Sequence, residues 1–121
     1  MVVLVETSGV LRLRRAETLL EGKYRVLDIG GLSVVAVRVG GQVYVFKNHC
    51  SHQGRRMEGG ALAGAVFTCP HHAVSYDVKT GGVAYDSGYI GLTPVRTYPV
   101  EIRGGDVYIR LTALPQEELS R

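Results

Sequence analysis

Two glycine pairs cut the stretch KYRVLDI-GG-LSVVAVRV-GG-QVYVFK, Lys23 to Lys47, into three short runs rich in Val, Ile and Tyr. Helical spacing of apolar residues is almost absent from the chain, so the strand template wins by count. Gly30-Gly31 and Gly40-Gly41 are two-residue links that accept the positive φ of tight hairpin turns. The stretch therefore predicts a three-stranded antiparallel meander. The pattern recurs in TYPVEIR-GG-DVYIRL, a hairpin about Gly104-Gly105 in which Val100, Ile102, Val107 and Ile109 alternate with polar residues and face a core. AVFTC and AVSYDV read as two further short strands, and AETLL, Ala16 to Leu20, as one helical turn. At 121 residues the chain is long enough for a core of its own, and a single domain over 1–121 is expected, with a frayed polar tail at 115–121.

Between the two β units lies HCSHQGRRMEGGALAGAVFTCPHH, His49 to His72, which holds both cysteines and all four histidines of the chain. The pattern is C-x-H-x16-C-x-x-H, so Cys50 and His52 form one pair and Cys69 and His72 the other. The N-terminus lacks a basic region, a long apolar stretch and a small-residue cleavage site, and no 18 uncharged apolar residues run together, which predicts a cytoplasmic protein without a membrane anchor. In such a setting clustered thiolate and imidazole point to metal rather than to a disulfide. Burial of both cysteines as small hydrophobes leaves the matching histidine offsets unexplained. A structural Cys2His2 zinc site is chemically legitimate. The zinc-finger order, however, is two Cys followed by two His, with the second pair on a helix. The net charge of +3 is not gathered into a dense basic stripe, so nucleic acid is not an expected partner.

CSH followed by CPHH, then YDVKTGG, then TYPVEIRGGDVYI, resembles the Rieske-type [2Fe-2S] ferredoxins. The resemblance implies an all-β, Rieske-like antiparallel sandwich carrying a cluster-binding subdomain of two loops, at about residues 48–83. It implies that Cys50 and Cys69 hold the inner iron and that His52 and His72 hold the outer one. His49 and His71 are then solvent-facing loop residues. Replacing two thiolates by imidazoles makes the cluster less negative and raises its potential. Respiratory members carry a further Cys in each loop, joined as a disulfide; Arg55 and His71 stand in those places. They also carry a Ser and a Tyr that donate hydrogen bonds near the cluster, where this chain has Val74 and Tyr76. With one donor lost and one kept, the expected potential lies in the lower to middle part of the Rieske range.

Soluble relatives have Gly after the last ligand, where Ala73 requires an ordinary negative φ or strain. Their Pro-rich covering loop corresponds to 83–97, in which Tyr85, Tyr89 or the stretch Asp86 to Leu92 would shield the site or meet a partner. Arg55 and Arg56 beside the exposed histidine edge would steer an acidic partner.

The implied function is one-electron transfer from a flavin reductase to an oxygenase, either a ring-hydroxylating dioxygenase or a diiron monooxygenase, without catalysis by the chain alone. A zinc-stabilised interaction module and an iron-sulfur redox sensor are the alternatives.

Overall fold

The structure is a computed structural model that describes residues 2–5, 10–29, 31–51, 54–71 and 73–111. Among the described residues, twelve strands form three four-stranded antiparallel sheets. The meander forms as the glycine pairs imply, with β3 at Tyr24–Ile29, β4 at Leu32–Val39 and β5 at Gln42–Lys47. Gly40 and Gly41 both take positive φ, 62° and 79°, the pair of values a type I′ turn needs. The Glu21 carboxylate accepts both of their N–H groups, at 2.6 and 2.9 Å, and so pins the turn from outside.

The C-terminal hairpin also forms, with β11 at Val100–Arg103 and β12 at Asp106–Arg110. Its sheet is larger than the sequence pattern predicts. Two strands near the N-terminus, β1 at Val2–Val5 and β2 at Val10–Arg14, join it in the order β1-β2-β12-β11. Strand β2 carries its signal in Leu11 and Leu13, both fully buried, with Arg12 between them. Ile102 departs from the expected alternation: it stays 43% exposed because β11 is the sheet's edge. The predicted helical turn is a 3-10 turn at Ala16–Thr18, the only helical element among the described residues. The tail at 115–121 and the Gly30 half of the first turn lie outside the described residues.

The meander is the middle layer. Together with β10, Thr97–Tyr98, it forms the sheet β10-β5-β4-β3. Alternate residues of β4 serve two cores: Val34 and Ala36 face the β1-β2-β12-β11 side with Leu11, Leu13, Val107 and Ile109, whereas Val35 and Val37 face the other way. A strand buried on both faces reads as a continuous apolar run, which is why LSVVAVRV shows no alternation. The second core is completed by a third sheet, β6 at Ala61–Ala63, β7 at Val66–Thr68, β8 at Ser75–Asp77 and β9 at Val83–Tyr85. Phe67 and Tyr76 of that sheet pack with Phe46, and Tyr24 meets Phe67 edge-on at 4.9 Å. No helix among the described residues is long and apolar enough to cross a membrane.

Candidate metal centre

Cys50 follows β5 and Cys69 follows β7, so both sit where a strand of the second core ends. Their loops share one construction. The Cys50 N–H donates to the Arg55 carbonyl and the Cys69 N–H to the Val74 carbonyl, each spanning five residues and each 2.8 Å long. Four residues after each cysteine the backbone turns left-handed, at Gly54 (φ 67°) and Ala73 (φ 61°). In the first loop the glycine also leaves room for the His49 ring, because a Cβ there would lie 3.2 Å from it. In the second loop an alanine holds the conformation that L residues disfavour by about 1–2 kcal/mol. The expectation of an ordinary φ at Ala73 is thus replaced by the strained alternative. Ala73→Gly should raise stability by about 0.5–1 kcal/mol after the extra freedom of glycine in the unfolded chain is deducted. A thermal melt of the loaded protein that shows no upward shift would count against this.

Neither cysteine is in a disulfide, and both, 2% and 1% exposed, lie in one core with Met57, Phe67, Val74 and Tyr76. His52 and His72 lie outside the described residues; in sequence, each falls between the two residues whose backbone bond closes its loop. His49 and His71 are exposed, and the His71 Nε2 lies 3.1 Å from the Arg56 carbonyl. That contact ties the second loop to the first. The bridging partner is therefore Arg56, one residue beyond Arg55.

Tyr76 is fully buried beneath the first loop. Its hydroxyl accepts the Ser51 N–H at 2.9 Å and lies 2.8 Å from Ser51 Oγ and 3.6 Å from Cys50 Sγ. A phenol has one proton and two acceptor sites. When Cys50 is an acceptor-only thiolate, all groups are satisfied in one way: Ser51 donates twice to the phenol oxygen, and the phenol donates to Sγ. Burial is the main cause that pushes the Tyr76 hydroxyl above its usual range, so it remains a donor. Val74, the neighbour that offers no donor, is also fully buried.

Arg55 is exposed and makes no ion pair among the described residues. Arg56 is held between Asp28 (3.0 Å) and Glu58 (2.7 Å). Glu58 in turn accepts from the buried Asn48 side chain at 2.7 Å, and Asn48 Oδ1 accepts the Met57 N–H at 2.6 Å. This network, invisible in the sequence pattern, fixes the far end of the first loop to the meander. The side-chain bond from Arg56 is the leading cause that lowers the carboxyl of both Asp28 and Glu58. Unfolded carboxyls take up protons near pH 4, before these two do. The stabilisation is therefore complete above that range and is lost as pH falls through the lowered values. Glu58→Gln should make cluster bleaching at neutral pH faster and its acceleration below pH 4 shallower. Parallel pH profiles for variant and parent would contradict this.

The segment 83–97 packs against the same core through Tyr89, Leu92 and Val95, while Tyr85 and Ile90 are 59% and 95% exposed. Tyr89, rather than Tyr85, is the tyrosine turned inward.

The family model of the Rieske [2Fe-2S] domain matches residues 9–99. The 3-phenylpropionate/cinnamic acid dioxygenase ferredoxin subunit of Escherichia coli (strain K12) is 38% identical over 87 residues, 70% of this chain and 79% of that protein. The structure of the ferredoxin of carbazole 1,9a-dioxygenase from Nocardioides aromaticivorans IC177 superposes with a TM-score of 0.75 at 28% identity, over 85% of this chain and 98% of that one. A complex of reduced oxygenase and oxidized ferredoxin in carbazole 1,9a-dioxygenase contains a chain that matches with a TM-score of 0.76 at 28% identity, over 86% of this chain and 94% of that one. With two buried thiols in twin loops and a family match over most of its length, this chain belongs to the Rieske [2Fe-2S] domain family.

Proposed function

We propose that this chain is a Rieske-type ferredoxin that carries one electron at a time from a flavin reductase to the oxygenase component of a ring-hydroxylating dioxygenase, and that it turns over no substrate alone. The observation that carries this reading is the pair of buried cysteines, neither in a disulfide, in loops closed by the same five-residue backbone bond, with a histidine in the sequence of each loop. Cys50, Cys69, His52 and His72 are the residues that would hold the cluster, within a subdomain of about 48–83. Such a cluster supplies reversible one-electron uptake at a potential above that of all-cysteine clusters.

The chain's own residues set the conditions. The second core keeps water from both thiols, and Tyr76 offers a hydrogen bond to the Cys50 sulfur. Arg55 contributes an exposed positive charge beside the first loop, whereas the charge of Arg56 is offset by two carboxylates and adds less to steering. Dioxygenase ferredoxins among the relatives favour a dioxygenase over a diiron monooxygenase as the acceptor system.

Expression with iron, followed by metal and sulfide analysis, tests the reading. Iron and acid-labile sulfide in equal amounts, a brown visible spectrum and reversible one-electron reduction are the expected result. Cys69→Ser should abolish all three. A colourless protein that retains zinc would overturn the assignment.

A further inference from the structure

Side-chain bonds join the two ligand loops at a buried base and at an exposed rim. At the base the Tyr76 hydroxyl, on the strand that follows the second loop, bonds the N–H and Oγ of Ser51 in the first loop. At the rim the His71 Nε2 lies 3.1 Å from the Arg56 carbonyl oxygen. A carbonyl only accepts, so Nε2 carries the proton and donates it. The joins meet the first loop five residues apart, at Ser51 and Arg56. The base join alone would let one loop pivot on the other; the rim join fixes the gap between them.

The two sides of that gap are held differently. The first loop is anchored to the meander: Asn48 Oδ1 accepts the Met57 N–H at 2.6 Å, and the Arg56 guanidinium sits between Asp28 (3.0 Å) and Glu58 (2.7 Å). The Arg56 carbonyl is therefore offered from a fixed segment. In the second loop, Pro70 and Ala73 have no polar side chain, which leaves His71 as the described residue between Cys69 and Val74 whose side chain can bond outside the loop. The same loop holds Ala73 at φ 61°, a conformation that L residues disfavour, so a released loop has cause to relax.

On the electron-carrier reading above, which supplies the identity of the bound group, we propose that His71 is a positioning residue. Its Nε2–H clasps the second ligand loop to the Arg56 carbonyl and so keeps the two Cys-His pairs at the spacing that retains the metal centre. Opening of the rim then limits how fast the bound group is lost. His71 is exposed, so its replacement leaves the core intact. Water competes for the same bond, and removing the clasp therefore speeds loss by the factor that one ordinary hydrogen bond sets, without abolishing binding.

The test uses the loaded, full-length protein without oxygen. Iron and sulfide are measured first, so that failure of the electron-carrier reading is seen separately. The chelating dye 4-(2-pyridylazo)resorcinol, in excess, then reports release of iron or of zinc, so the clasp is tested whichever metal the protein holds. The series is His71→Gln, His71→Asn and His71→Leu. The amide nitrogen of Gln reaches about as far as Nε2, whereas that of Asn reaches only about as far as Nδ1. Release should be about fivefold faster than in the parent for the Asn and Leu variants, and within about twofold of it for Gln. Asn and Gln match in charge and polarity, so their difference reads reach alone. Glu58→Gln loosens the Arg56 anchor, and adding His71→Leu to it should speed release by clearly less than the same change does in the parent. Equal rates for the Asn and Gln variants, a Leu variant no faster than the parent, or an undiminished Leu effect in the Glu58→Gln background would overturn the proposal.

Discussion

Gly81→Ala is expected to cost about 3 kcal/mol or more and to lower the temperature at which the cluster bleaches by ten degrees or more. Gly81 has φ of 80°, and a Cβ there would lie 2.2 Å from the Val95 carbonyl oxygen and 3.1 Å from Thr97 Cγ2. The first contact is with backbone, so no side-chain rotation relieves it. The same residue accepts the Val95 N–H at 2.9 Å and donates to the Asp77 carbonyl at 2.7 Å, joining the β8–β9 turn to the segment that enters β10. An alanine must therefore move the 93–96 segment or leave the left-handed region, and either course breaks that join. Gly105→Ala provides the comparison. Its φ is 85°, but a Cβ would meet nothing within 4 Å, so only the conformational cost of about 1–2 kcal/mol applies. Equal thermal losses in the two variants would show that the close approach at Gly81 contributes nothing.

The glycine pairs made the meander and the C-terminal hairpin legible, because a two-residue link between β-branched runs admits few structures. The strands missed are of two kinds. Strand β2 has only Leu11 and Leu13 to bury, and Arg12, Arg14 and Arg15 obscure the alternation. Arg12 is placed by a partner 94 positions away, Asp106, which its guanidinium meets at 2.6 Å. Strands β6 and β9 are three residues long, too short for any period to register, and Thr97–Tyr98, expected as the start of the C-terminal hairpin strand, is a separate strand β10 that pairs with β5. Pairing with neighbours from elsewhere in the chain decides them.

At the candidate centre, the repeated Cys-His spacing was legible in the sequence, and the fold buries Cys50 and Cys69 in one core, whereas the supports were not legible. Asn48 and Glu58 are ordinary polar residues in sequence; only the fold shows them bracing the first loop. Arg56 looked like a free surface cation and is an ion-paired one.

Tyr76→Phe is expected to lower the reduction potential by about 40–90 mV. The phenol is the sole hydroxyl within reach of Cys50 Sγ among the described residues, and its proton goes to that sulfur once Ser51 has filled both acceptor sites. Reduction adds negative charge to the centre, so a donor to its thiolate favours the reduced state. A hydrogen bond to a charged acceptor is worth about 1.5–3 kcal/mol, of which only the part that grows on reduction counts. Taking that part as about 1–2 kcal/mol and using 59 mV per tenfold for one electron gives the stated shift. Phenylalanine keeps the ring that packs with Phe67 and Phe46, so the core is retained. Ser51→Ala removes one donor to the phenol but leaves the phenol's own proton for the sulfur, and should shift the potential far less. Because burial holds the phenol proton in place, the difference between parent and Tyr76→Phe should stay constant from neutral to mildly alkaline pH. Redox titration that finds equal potentials, or a higher one in the phenylalanine variant, would refute the role assigned to Tyr76.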